Sequence, residues 1–314
     1  MVVEKLFHVP AVQTHLIESD YVDQTFQIQV MQPLMLKGSL ERYPVLYLTD
    51  GNELFDVAKG IAHCLQGSGQ VQRFILVSIG YPGDNPFAGD ILRGRDLTPN
   101  RRAEISGFPR SSPIEGVSGI PAGHKHWNGA DDFLQFIRHE LVPLIESQYP
   151  ALNGNRGYFG HSLGGGFGLH ALLSQPGLFN RSIISSPGVI WEGDPHGIEP
   201  AETCISSGRR LDSKVFVSVG GEEEFQPAYA RSQFCSGFYR LTALLRRIPG
   251  LELTSRLFPG ETHASVWPFA FSHGVQAVFG PAYVAPLDVS GAPPRAGREL
   301  TATESVSAGK PRTQ

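Results

Sequence analysis

The stretch Tyr158-Phe159-Gly160-His161-Ser162-Leu163-Gly164-Gly165-Gly166 constrains this chain more than any other. It carries Gly-x-Ser-x-Gly between an apolar pair suited to the end of a buried strand and Phe167-Gly168-Leu169-His170-Ala171-Leu172-Leu173, which suits the start of a helix. A strand-to-helix turn this sharp forces its central residue into a strained backbone conformation. Side chains two positions before and after would collide across the turn, so glycine is required at both. The serine hydroxyl is then raised on the turn, with the following N–H groups and the helix N-terminus aimed at any negative charge developing beside it. The short pattern alone arises by chance. The strand before, the helix after and suitable partners downstream make Ser162 a candidate nucleophile.

The rest of the chain supplies a matching frame. Residues 9–32 alternate in part, notably Thr25-Phe26-Gln27-Ile28-Gln29-Val30, and read as an antiparallel hairpin at a sheet edge. Pro44-Val45-Leu46-Tyr47-Leu48, Arg73–Ile79, Ser182-Ile183-Ile184-Ser185 and Lys214–Val219 are apolar runs of the kind buried on both faces, and Leu251–Phe258 is a further strand. Helices are expected over 53–66, 130–148 with a kink at Pro143, from 167–173 onward, about 227–248 and 264–279. Strands alternating with helices predict an α/β fold, a mostly parallel central sheet with helices on both faces. Ligands bind such sheets at the carboxyl ends of the strands. Asn52, Ser162, Glu222 to Glu224 and His263 all fall there.

No repeat or linker divides the chain, so 1–285 is expected to form one domain. Residues 83–129 lose all periodicity and read as a long insert on the substrate side. Residues 286–314 are rich in Ser, Thr, Gly, Pro and Ala and read as a disordered tail. A net charge of −4 argues against a nucleic-acid binder, and no run approaches the roughly 18 apolar residues of a spanning helix. The start of the chain lacks the basic and apolar regions of a signal peptide. Three cysteines, Cys64, Cys204 and Cys235, suit thiols in a reducing compartment. The expectation is a cytoplasmic protein without membrane or nucleic-acid partners.

A serine hydroxyl needs a base, and in this fold the partners follow in the order Ser, acid, His. His170 lies two turns into the elbow helix, His196 precedes the strand that should deliver the acid, and His273 sits inside the last helix. His263, in a loop after the last strand, is the expected base. The acid should come from Glu222, Glu223 or Glu224. Glu223 is preferred because it stands three residues after Gly220, a common strand-end spacing. The N–H groups of Leu163 and of Asn52, in the Asp50-Gly51-Asn52 loop, would form an oxyanion hole. His124 and His126 form an isolated H-x-H without acidic or thiol ligands in pattern, and neither a dinucleotide fingerprint nor a phosphate loop is present. No metal and no cofactor are expected. The insert carries near-equal numbers of arginines and acidic residues, so its arginines are expected either to form internal ion pairs in a solvated loop or, with Arg93 the preferred candidate, to clamp an anionic or oxygen-rich part of a substrate, because guanidinium presents a fork of donors.

These pieces resemble an esterase family of the α/β-hydrolases that includes esterase D, the enterochelin (siderophore) esterases and the mycolyltransferases. The residues carrying the resemblance are Pro44 to Asn52, Arg95-Asp96-Leu97-Thr98-Pro99, Gly160 to Gly165, Ser185-Ser186-Pro187 with Trp191, Val219-Gly220-Gly221-Glu222-Glu223 and His263-Ala264-Ser265. The siderophore trilactone esterases are the branch it is most similar to. The resemblance implies the α/β-hydrolase fold and cofactor-free hydrolysis of a small-molecule carboxylic ester. It implies Ser162 as nucleophile, His263 as base, a glutamate of 222–224 as acid, Asn52 and Leu163 as oxyanion donors and Trp191 on the substrate side. Some relatives work with a Ser-His pair alone. An acyltransferase or cyclase on the same fold, and a non-catalytic binding protein, are the alternatives.

Overall fold

The computed structural model describes residues 12–33, 40–83, 86–99, 129–190 and 197–280, with the side chains of 86–88 excepted. Its frame is a sheet of eight strands in the order β1-β2-β4-β3-β5-β6-β7-β8. β1 (Val12–Ser19) and β2 (Gln24–Met31) form the expected antiparallel hairpin at one edge, and β2 lies antiparallel to β4 (Ile75–Gly80). From β4 through β3 (Tyr43–Leu48), β5 (Ala151–His161), β6 (Arg181–Ser185), β7 (Ser213–Gly220) and β8 (Leu251–Phe258) every pairing is parallel.

β3 and β4 are buried at every position, as their unbroken apolar runs require. Successive residues serve opposite layers. Val45 and Tyr47 pack with α3 (Ala130–Phe136) and α5 (Leu163–Ser174), whereas Leu46 and Leu48 pack with α1 (Gly51–Gly67) and α8 (Val266–Phe279). β6 and β7 send Ile184, Val215, Val217 and Val219 toward α6 (Glu199–Ser206) and α7 (Phe234–Leu245). The edge strand β8 instead alternates half-buried leucines with exposed residues.

Several elements depart from the sequence expectation. α1 starts at Gly51, so Gly51 and Asn52 form the first helical turn and not a loop of their own. Asp50, at φ 58, reverses the chain in the left-handed region directly before it. Within 83–129 the chain forms α2 (Pro86–Asp96), hidden from periodicity by Gly89 and Gly94, which are poor helix formers. Residues 100–128 lie outside the described residues, as does 286–314. α6 is not among the expected helices, because its two turns contribute only Ala201 and Cys204 to the core. The helix expected over about 227–248 is confined to α7. Gln233, at φ 42, stops helical continuity on its N-terminal side. The kink assigned to Pro143 is a π-helical turn, Ile137–Leu141, before α4 (Val142–Gln148). Proline lacks an N–H and collides with the carbonyl four residues back, and the adjacent Val142 N–H bonds five residues back, to Ile137 O.

Candidate active site

Register places the site. Leu48 pairs with Phe159, His161 with Ser185, Ser185 with Ser218, and Gly220 with Phe258, so the carboxyl ends of β3, β5, β6, β7 and β8 lie side by side. Between β5 and α5, Ser162 adopts φ 59, ψ −118. The two glycines of the elbow have no alternative. A Cβ on Gly160 would lie 2.2 Å from the Gly164 carbonyl oxygen, and one on Gly164 would lie 2.6 Å from Thr49 Oγ1. The strained turn is held from the next strand, where Ser185 O accepts the Ser162 N–H at 3.0 Å.

Three of the expected side chains meet in one hydrogen-bonded chain. His263 Nε2 lies 2.9 Å from Ser162 Oγ, and its Nδ1 lies 2.6 Å from Glu223 Oε2. Glu223 begins a single turn after β7 and is wholly buried. Its second oxygen, Oε1, accepts the Gly220 N–H and the Ser186 hydroxyl, each at 2.6 Å. These donors replace the water that a buried carboxyl group has lost. Of its neighbours, Glu222 is exposed, and Glu224 accepts the Ser236 N–H and hydroxyl at 2.9 and 2.7 Å. Of the three glutamates, Glu223 is the one whose carboxylate meets His263.

The imidazole of His263 is fixed from all sides. Its backbone N–H donates to Gln226 Oε1 at 3.0 Å. The rings of Tyr229, His161 and Phe234 pack on it with centroids at 4.3, 4.6 and 4.7 Å. His161 is itself buried beside Ser185 Oγ (3.0 Å). Burial, reinforced by the neighbouring His263 and Arg93, holds its pKa well below the ordinary histidine range, so it stays neutral. Sequence reasoning assigned no role to Ser186, Gln226, Tyr229 or His161. Ser186 was within reach, since it follows a strand at the catalytic edge, one strand from the acid.

Leu163 and Asn52 are first-turn residues of α5 and α1, whose N–H groups have no intrahelical acceptor. Arg93 is engaged: its Nε and Nη2 donate to Asp50 Oδ1 and Oδ2 at 2.6 and 3.1 Å. Burial alone would lower its pKa, but the Asp50 carboxylate outweighs that and raises it. Trp191, His196, His124 and His126 lie outside the described residues. His170 pairs with Asp131, and His273 with Arg256, away from the serine. Among the described residues, no three His, Cys, Asp or Glu side chains gather in a way that could hold a metal ion. No described helix is long and apolar enough to cross a membrane. A cavity of about 580 Å³ runs beside α5 from Gly166, one turn past Ser162, toward Pro200 and Cys204 of α6.

The family model described as "Putative esterase" matches residues 19–277. The chain belongs to this esterase family. It is 27% identical over 285 residues to the ferri-bacillibactin esterase BesA of Bacillus subtilis (strain 168), covering 88% of this chain and 92% of the relative. It is 30% identical over 261 residues to the siderophore triacetylfusarinine C esterase of Aspergillus fumigatus, covering 75% of this chain and 81% of the relative. Among solved structures it is similar to the siderophore hydrolase EstA from Aspergillus nidulans, with a TM-score of 0.67 and 26% identity over 84% of this chain and 92% of that one. The esterase thus has the α/β-hydrolase fold and is a carboxylic-ester hydrolase.

Proposed function

We propose that the esterase cleaves its substrate through an acyl-enzyme formed on Ser162. Ser162 Oγ attacks the ester carbonyl carbon while His263 Nε2 takes the hydroxyl proton. The resulting oxyanion lies against the N–H groups of Leu163 and Asn52. Collapse of the tetrahedral species breaks the bond to the alcohol oxygen, which leaves with the proton now on His263. Water then attacks the acyl carbonyl, gives a proton to His263, and the second collapse returns that proton to Ser162 and releases the acid. Glu223 holds the imidazole with Nε2 free to accept and stabilises the imidazolium in each half-reaction. The observation that carries this reading is the continuous chain Ser162 Oγ–His263–Glu223, at 2.9 and 2.6 Å, with the acid buried and triply bonded.

The substrate class follows from the relatives, whose printed names are ferri-bacillibactin and siderophore triacetylfusarinine C esterase. A siderophore polyester is the proposed small-molecule substrate. The test is chromatography of a trilactone siderophore, with and without iron, after incubation with enzyme. Ring opening to linear hydroxy acids at a kcat/KM well above that for p-nitrophenyl acetate is expected. Faster turnover of the simple ester would remove the siderophore assignment while leaving the serine mechanism standing.

A further inference from the structure

Two stretches singled out in the sequence have no part in the reaction as described: Asp50, and the Arg95-Asp96 pair with the helix that carries it. The structure joins them. Asp50 sits in the left-handed region at φ 58, a conformation non-glycine residues hold only when their surroundings enforce it. Its carbonyl accepts the Glu53 and Leu54 N–H groups at 3.1 and 3.0 Å, starting α1. Its carboxylate is gripped at both oxygens by Arg93 of α2. On the other side of Gly51, the Asn52 side chain pairs with the backbone of Tyr81: Oδ1 accepts its N–H at 2.7 Å and Nδ2 donates to its carbonyl at 2.8 Å. Tyr81 in turn donates its hydroxyl to Asp96 Oδ2 at 2.8 Å, and Arg95 bonds both oxygens of that carboxylate. Asp96 is wholly buried, with Tyr81 and Arg95 nearly so.

Both residues flanking Gly51 are therefore tied to one helix, one by a two-point ion pair and the other through a buried tyrosine. We infer that α2 positions the oxyanion site: Arg93, acting through Asp50, and Asp96, acting through Tyr81, hold the Asn52 N–H where the oxyanion develops. This rests on the assignment of Asn52 as an oxyanion donor. It makes Arg93 a positioning residue, whereas the substrate clamp expected from sequence would leave it open to a ligand. The physical reason is that an oxyanion donor contributes only when its N–H is placed before the reaction begins. Two bidentate ion pairs, one buried and one partly buried, have the directional rigidity that a solvated loop lacks. The neighbouring Thr49 Oγ1 and Tyr158 hydroxyl share a hydrogen bond at 2.9 Å, and Tyr158 also donates to Gly164 O at 2.8 Å, so the two helix starts that supply the donors are braced against each other.

The test compares a small neutral ester with an anionic one in Arg93→Met, Arg93→Lys, Asp50→Asn and the Arg93→Met/Asp50→Asn double variant, each checked for folding by circular dichroism. On p-nitrophenyl acetate, Arg93→Met should lower kcat about 10- to 100-fold with KM nearly unchanged, and affinity for a boronic acid that forms a tetrahedral serine adduct should fall by a similar factor. Asp50→Asn should behave alike, and the double variant should be no worse than the poorer single one. Arg93→Lys keeps the charge and loses the fork, so a smaller loss of kcat is expected; it carries the test if Arg93→Met does not fold. Unchanged kcat on the neutral ester in a folded Arg93 variant would overturn the inference, and a rise in KM confined to the anionic ester would make Arg93 a clamp. Ser162→Ala run in parallel separates the two levels. If that variant is inactive while the Arg93 variants are normal, only the positioning role falls; if it retains activity, the serine mechanism itself falls.

Discussion

Ser162, the proposed nucleophile, stands between two supports built from different materials. On the side of β6, β7 and β8, a single buried carboxylate is surrounded by hydrogen-bond partners: the Ser186 hydroxyl, the Gly220 N–H and the imidazole of His263. On the side of β3 and β4, the support is ionic, with Arg93 on Asp50 and Arg95 on Asp96. Under the proposed mechanism the first side must let a charge appear and vanish on His263 during turnover, which suits its short hydrogen bonds and its packing by aromatic rings. The second side moves no proton in the reaction and needs only to stay put, a task suited to strong permanent pairs. Substitutions should therefore act differently on the two sides: through the proton relay on one, and through placement of a donor on the other.

The largest effect should come from the residues the two sides share. Ser162→Ala should lower kcat by several orders of magnitude with the melting temperature nearly unchanged, measured with p-nitrophenyl esters and circular dichroism. His263→Ala should be of similar size, and the double variant little worse than either, because the two act as one unit. Glu223→Gln should follow at about 10²- to 10⁴-fold. Its amide oxygen can still accept from Ser186 and Gly220, but its NH₂ then faces Nδ1 and favours the wrong tautomer. Glu222→Gln and Glu224→Gln should stay within about threefold, since neither carboxylate touches the imidazole. Equal, small effects from all three would dissolve the relay side of the comparison and leave a Ser-His pair.

Smaller effects sharpen it. Ser186→Ala removes one of two donors on Glu223 Oε1 and should lower kcat about tenfold while leaving KM for a neutral ester unchanged. His161 offers a pH test. Its folded-state pKa is depressed by burial, so above about pH 6.5 neither folded nor unfolded chain holds its proton and it contributes nothing. As pH falls below that value only the unfolded chain takes up the proton, and stability drops by at most about 1.4 kcal/mol per pH unit. Denaturant titrations of His161→Gln should show a shallower acid slope than the parent protein.

The two supports also differed in how visible they were in the sequence. The relay side was readable because each residue has a fixed place after a strand. Gly220 ends an apolar run and sets the register of Glu223, and His263 follows the last strand in the order the fold demands. The β3 side was half readable. Asn52 stood out after a buried strand, but the partnership of Asp50 with Arg93 joins residues 43 apart and leaves no periodic trace. The balance of charges in the insert suggested ion pairs as well as a clamp, but nothing in the sequence pointed to Asp50, outside the insert, as the partner of Arg93. Helices α2 and α6 escaped for a local reason: glycines in one and a core face of two residues in the other leave too little apolar signal. The π turn before Pro143 was visible only as a kink, since the proline marks where the ladder breaks without fixing how it is repaired.

The central claim is that one serine carries the acyl group, and intact-mass and peptide mass spectrometry after treatment with a fluorophosphonate test it most directly. A single adduct on Ser162 is expected, formed in step with loss of esterase activity, absent in Ser162→Ala and much slower in His263→Ala. Full inactivation with the adduct on another residue, or esterase activity that survives complete labelling of Ser162, would contradict it.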